Sequence, residues 1–145
     1  MTRTFALRLP LALAALLLSA CGDETGPLMR PGENCMTCHT GGGQAPDQRW
    51  TIAGTVYTTA TDGSGMGVSG VNIIVTDANS KQVTLTSNAV GNFYSKELVS
   101  FPLSTELRRG ANVQKMAMKV STGACASCHN QPSSGGAPGR LFIAP

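Results

Sequence analysis

The chain has 145 residues, of which 13% are charged and 5% aromatic, with 17 glycines and a formal charge of +3. That length supports one small domain with a modest core. The charge is too small and too scattered to mark a nucleic-acid-binding face or an electrostatic membrane-binding surface.

Residues 1–20 carry Arg3 and Arg8, then an apolar stretch from Leu9 to Ala20. The stretch is too short to span a bilayer and has the shape of a signal-peptide core. Leu18-Ser19-Ala20-Cys21 resembles a bacterial lipobox, which implies that Cys21 becomes a lipidated N-terminus. Several acyl chains would then anchor the protein to a membrane. Loss of Arg3 and Arg8 leaves nine basic residues against eight acidic ones, a charge of +1. The expected location is that of an exported bacterial lipoprotein, on the periplasmic side of a membrane or on the outer membrane and cell surface. Gly22 after the lipidation site favours the outer membrane.

Residues 21–34, with Gly22, Gly26, Pro27, Pro31 and Gly32, read as a tether. Residues 35–49 open on Cys35-Met36-Thr37-Cys38-His39, a Cys-x-x-Cys-His run. Two thiols three residues apart lie on one side of a helical turn, where they can add to two vinyl groups of one porphyrin. The histidine that follows reaches the iron as proximal ligand.

Residues 50–120 read as a β module. Strands are expected at 50–58, 71–76, 82–87, from 93, and at 116–120, separated by turn clusters at 62–67, 79–80 and 88–92. Short strands with frequent turns indicate a small, mainly β sandwich, flanked by short loop or helical-turn segments. Residues 121–145 carry Cys125-Ala126-Ser127-Cys128-His129 and a Gly/Pro/Ser-rich tail. After each histidine comes a glycine run and an Ala-Pro pair, with Arg49 and Arg140 beyond. These arginines could pair with heme propionates or simply be solvated loop residues.

The two pentapeptides resemble those of c-type cytochromes. The resemblance implies two covalently attached hemes, held by Cys35, Cys38, Cys125 and Cys128, with His39 and His129 as proximal iron ligands. The chain has two histidines, both in these motifs, and five cysteines, so lipid and thioethers account for every thiol. Two alternatives compete. A zinc thiolate site is disfavoured because about 85 residues separate the cysteine pairs, against roughly 15–20 in zinc ribbons. Two Cys-x-x-Cys disulfides suit an oxidising compartment, but leave the paired histidines unexplained.

A second resemblance covers Ile52-Ala53-Gly54-Thr55-Val56, Gly70-Val71-Asn72-Ile73-Ile74-Val75 and Thr86-Ser87-Asn88-Ala89-Val90-Gly91-Asn92-Phe93-Tyr94. It looks like the carboxypeptidase regulatory-domain pattern, which implies a transthyretin-like sandwich serving as scaffold.

Both histidines are committed as proximal ligands, so the sixth ligand must come from Met, Lys, a partner, water or nothing. Met29 lies six residues before Cys35, Met118 seven before Cys125, and Met116 nine before it. These three are the candidates, each also suited to filling a core. Met66 is a further candidate in a glycine-rich turn, whereas Met36 lies inside the motif. The expected function is electron transfer by a membrane-anchored dihemic cytochrome acting with redox partner proteins, an electron carrier rather than an enzyme. An open-coordination heme that binds or reduces a small molecule, or a non-heme surface lipoprotein, are the alternatives.

Overall fold

A computed structural model describes residues 26–61 and 67–144 of the chain. The expected signal segment, the expected lipidation site Cys21, and Met66 lie outside the described residues. Among the described residues, no helix is long and apolar enough to cross a membrane.

The fold is a small, mainly β sandwich. Strands β1 (Ile52–Thr55) and β4 (Asn92–Ser95) form one antiparallel sheet. Strands β2 (Asn72–Thr76), β3 (Gln82–Thr86), β5 (Ser104–Arg109) and β6 (Asn112–Lys115) form the other, in the order β3-β2-β5-β6. β2 carries Ile73 and Val75 inward at the two-residue period of a sheet with one dry face. They pack with Ile52, Val56, Val71, Phe93, Leu103 and Leu107 in one apolar core. Burial of this kind is the main driving force for the fold, at about 25 cal/mol per Å² of apolar surface.

Asp77 closes the β2–β3 hairpin. One carboxylate oxygen accepts from the amides of Asn79 (2.8 Å) and Lys81 (2.9 Å), and the other from the Ser100 amide (3.0 Å). These amides, Ser100 first, hold its carboxyl below the usual range. Hairpin β5–β6 turns through Gly110-Ala111, pairing Arg109 with Asn112.

The strand expected at 116–120 does not form. The last hairpin lies upstream; the Met116 amide donates to the Thr105 carbonyl at 3.0 Å, and Val120 forms a single bridge to Leu103. Met116 is half-buried and Met118 is 59% exposed, so the apolar alternation there does not correspond to an inward face. The end of the chain is better ordered than a tail. Leu141 and Ile143 are buried, and the Tyr57 backbone pairs with both.

β1 differs from the other strands in being buried at all four positions. A strand covered on both faces loses the alternation of an edge. Its second cover is the stretch before the second Cys-x-x-Cys-His motif: the Ala53 amide donates to the Gly123 carbonyl at 2.9 Å, and Ala53 and Ala124 form a parallel bridge. Gly54 lies at this seam. A Cβ there would come within 2.8 Å of the Phe93 ring and 2.9 Å of Cys125 Cβ. Strand, core and motif can close only on a residue without a side chain.

Candidate heme-attachment sites

Each motif folds as one 3-10 turn, Cys35–Thr37 in the first and Cys125–Ser127 in the second. Short turns of this type need few residues and place i and i+3 side chains together. In both, the histidine amide donates to the carbonyl of the first cysteine, at 2.9 Å for His39 and 3.0 Å for His129. The Asn34 side chain accepts from the Met36 amide and caps the first turn. Ala124 cannot do this, and Ser127 Oγ instead donates to the Ala124 carbonyl.

The segments after the histidines fold back alike. The Ala45 amide donates to the Cys38 carbonyl at 2.9 Å, and the Ser134 amide to the Cys128 carbonyl at 3.1 Å. Gly43 lies in the first of these returns, where any Cβ would collide with the Cys38 carbonyl. The returns bring a carbonyl onto each imidazole. His39 Nδ1 is 2.7 Å from the Gln48 oxygen, and His129 Nδ1 is 2.9 Å from the Gly139 oxygen. A carbonyl only accepts, so Nδ1 carries the proton in both rings. In the neutral imidazole, Nε2 then presents its lone pair. This is the orientation that a second-neighbour hydrogen bond imposes on a metal-ligating histidine.

At the first site Nε2 of His39 lies 3.5 Å from Met29 Sδ. His39 is 6% exposed, and its ring packs on Trp50 at 4.9 Å between centroids. Trp50 stacks in turn on Tyr94 at 4.4 Å, with Lys96 Nζ 5.3 Å from the Trp50 ring. Of the three methionines proposed from the sequence, Met29 is brought directly onto a histidine.

At the second site His129 and Cys128 line a cleft of about 390 Å³. Met116, Met118, Leu107 and Val120 line it too, with Lys115 and Arg140 among its charged residues. The cleft is within the size range of cofactor pockets, roughly 300–1,000 Å³, and is mostly apolar with few polar groups. Arg140 lies over the Tyr57 ring at 4.4 Å. Arg49 sits apart from it, donating from Nε to the Pro46 carbonyl.

Neither Cys-x-x-Cys pair is closed on itself. Cys35, Cys125 and Cys128 carry free thiols, and Cys38 is disulfide-bonded, a bond that must be reduced before this sulfur can form a thioether. Burial pushes the Cys35 thiol up, with the Glu33 carboxylate adding to it against its own backbone hydrogen bond. Burial likewise pushes the Cys125 thiol up to about 12, helped by the neighbouring Cys35 and Cys128. Among the described residues, no three His, Cys, Asp or Glu side chains gather as a metal site.

Sequence reasoning missed Thr55, Asn88 and Asn92, which pin residues 27–32, and Trp50 as a neighbour of His39. Their partners lie tens of residues away. No family model matches the chain, and neither the curated proteins nor the solved structures contain a match.

Proposed function

We propose that the protein is a dihemic c-type cytochrome that carries electrons, tethered to a membrane through lipid on Cys21. One observation carries the reading. His39 Nε2 and Met29 Sδ face each other at 3.5 Å, while Nδ1 is occupied by the Gln48 carbonyl. With Nδ1 taken, Nε2 is the lone-pair donor left on this ring, and the thioether beside it is a second. Histidine and methionine together are a donor set that would hold heme iron.

The residues fit the group. Cys35 and Cys38 would attach the first heme, and His39 and Met29 would hold its iron. Cys125 and Cys128 would attach the second, with His129 as proximal ligand beside the apolar cleft. When bound, each heme supplies a one-electron Fe(III)/Fe(II) couple. The chain's own part is to fix and tune. The Gln48 and Gly139 carbonyls orient the imidazoles and raise their basicity. Burial of His39 and the apolar lining of the cleft keep water away and so adjust potential. The sandwich holds the two sites on one strand, and redox partner proteins would meet the hemes at its surface.

The test is intact mass and visible spectroscopy of the full chain, produced with a heme-attachment system. Two added heme masses and a sharp reduced α-band are expected. A ferric sulfur-to-iron charge-transfer band that disappears in Met29→Leu is expected as well. High-spin ferric features at both sites would favour the small-molecule-binding alternative. Colourless protein, produced beside a working control cytochrome, would overturn the assignment and leave a non-heme sandwich.

A further inference from the structure

We infer that Thr55 and Asn92 are positioning residues that hold Met29 over His39, an assignment that rests on the donor pair proposed above. The segment carrying Met29 has no regular structure of its own. Its internal backbone contacts are long, from the Met29 amide to Gly26 and from the Glu33 amide to Arg30, both at 3.3 Å. Arg30 adopts a left-handed φ of 37°, unusual for a residue with a side chain. Such a conformation persists when its surroundings impose it.

The surroundings are the facing strand pair β1–β4. Thr55 and Asn92 are directly opposite in its register, and each is 5% exposed. Asn92 Nδ2 donates to the Met29 carbonyl at 2.8 Å. Thr55 Oγ1 donates to Asn92 Oδ1 at 2.7 Å and accepts from the Gly32 amide at 2.8 Å. Asn88 Nδ2 adds a third tie, to the Pro27 carbonyl at 2.5 Å. The ties fall before, at and after Met29, so they hold its backbone against the strand pair.

The polar pair is costly to bury without partners, since each unsatisfied group loses its hydration. A scaffold role alone would be served by two apolar residues at this cross-strand position. Asn92 instead donates outward to the Met29 carbonyl, and Thr55 accepts from the Gly32 amide. The same strand pair that supports the second motif through Ala53 and Gly54 therefore presents the sixth ligand to the first.

The test uses the heme-loaded full chain with Thr55→Val, Thr55→Ser and Asn92→Leu. Exogenous imidazole competes with Met29 for the iron, and is titrated while the sulfur-to-iron band is followed. Losing a buried hydrogen bond in the latch is expected to raise imidazole affinity at the first site about fivefold. It should also speed amide hydrogen exchange of residues 29–32. Thr55→Ser, which keeps the oxygen, should behave as the parent. Unchanged imidazole affinity in Thr55→Val and Asn92→Leu would overturn the latch while leaving the donor pair intact. Retention of the band in Met29→Leu would instead overturn the donor pair, and the latch with it. Thr55→Val preserves shape, so it decides the matter if Asn92→Leu does not fold.

Discussion

The two Cys-x-x-Cys-His sites share a turn, a return loop and a carbonyl on histidine Nδ1, yet they are finished differently. At His39 a methionine from an irregular segment is tied down by the sandwich and sits on the ring. At His129 the methionines line an open cleft: Met116 is held by its amide to the Thr105 carbonyl, and Met118 is mostly exposed. The difference shows that the pentapeptide specifies the turn and the placing of the histidine. What lies beside histidine Nε2 is left to whatever the rest of the fold delivers.

The strongest way to break this comparison is to remove one pair of thiols at a time. Replacing Cys35 and Cys38 by alanine, or Cys125 and Cys128, should each halve the covalent heme found by mass. Only the first replacement should abolish the band that depends on Met29. Phe93→Ala should weaken both sites together, because Phe93 is 2% exposed beside Gly54. A loss of about 3–5 kcal/mol in denaturant unfolding is expected. Gly54→Ala should cost less, about 1–3 kcal/mol, through overpacking against Phe93 and Cys125. Because Cys125 is displaced directly, its effect should fall more on the second heme than on the first, read as separate steps in a redox titration.

Met29→Leu conserves volume and should change stability by less than about 1.5 kcal/mol while removing the Met29 sulfur. Met116→Leu and Met118→Leu should leave the first site's spectrum as it is. The smallest effect is expected away from both sites, at Asp77. Its carboxyl is held below the usual range, first by the Ser100 amide. Its contribution is therefore present above the unfolded-state value of about 4 and is lost as pH falls through the folded value. Asp77→Asn should lower the melting temperature slightly at neutral pH and flatten its fall below about pH 4.

What was readable in the sequence was local. The two motif turns and strands β1 to β4 follow from residues within a few positions of one another. β5 was invisible because Glu106, Arg108 and Arg109 break its pattern and Leu107 is its sole buried member. β6 has no buried position. Met116-Ala117-Met118-Lys119-Val120 alternates convincingly but follows the end of the hairpin, where its methionines line a cleft instead. The expected mainly β sandwich did form around these differences. Residues 21–34, described from 26 onward, read as a tether because proline and glycine punctuate them. Nothing nearby in the sequence reveals that Asn88 and Asn92, some sixty positions later, hold them down. Met29 could be named as a candidate by its distance from Cys35, but its choice over Met116 and Met118 required the folded chain.

The covering of β1 by late residues has a consequence for timing. Tyr57 pairs with Leu141 and Ile143, and Ala53 with residues 123 and 124. A chain delivered from its N-terminus cannot complete this cover until residues 141–143 have arrived, and closing so long a loop is slow. During that interval Cys125 is outside the enclosure that later keeps its thiol protonated and poorly reactive. Until then the Cys125 sulfur remains accessible, and folding ends that period.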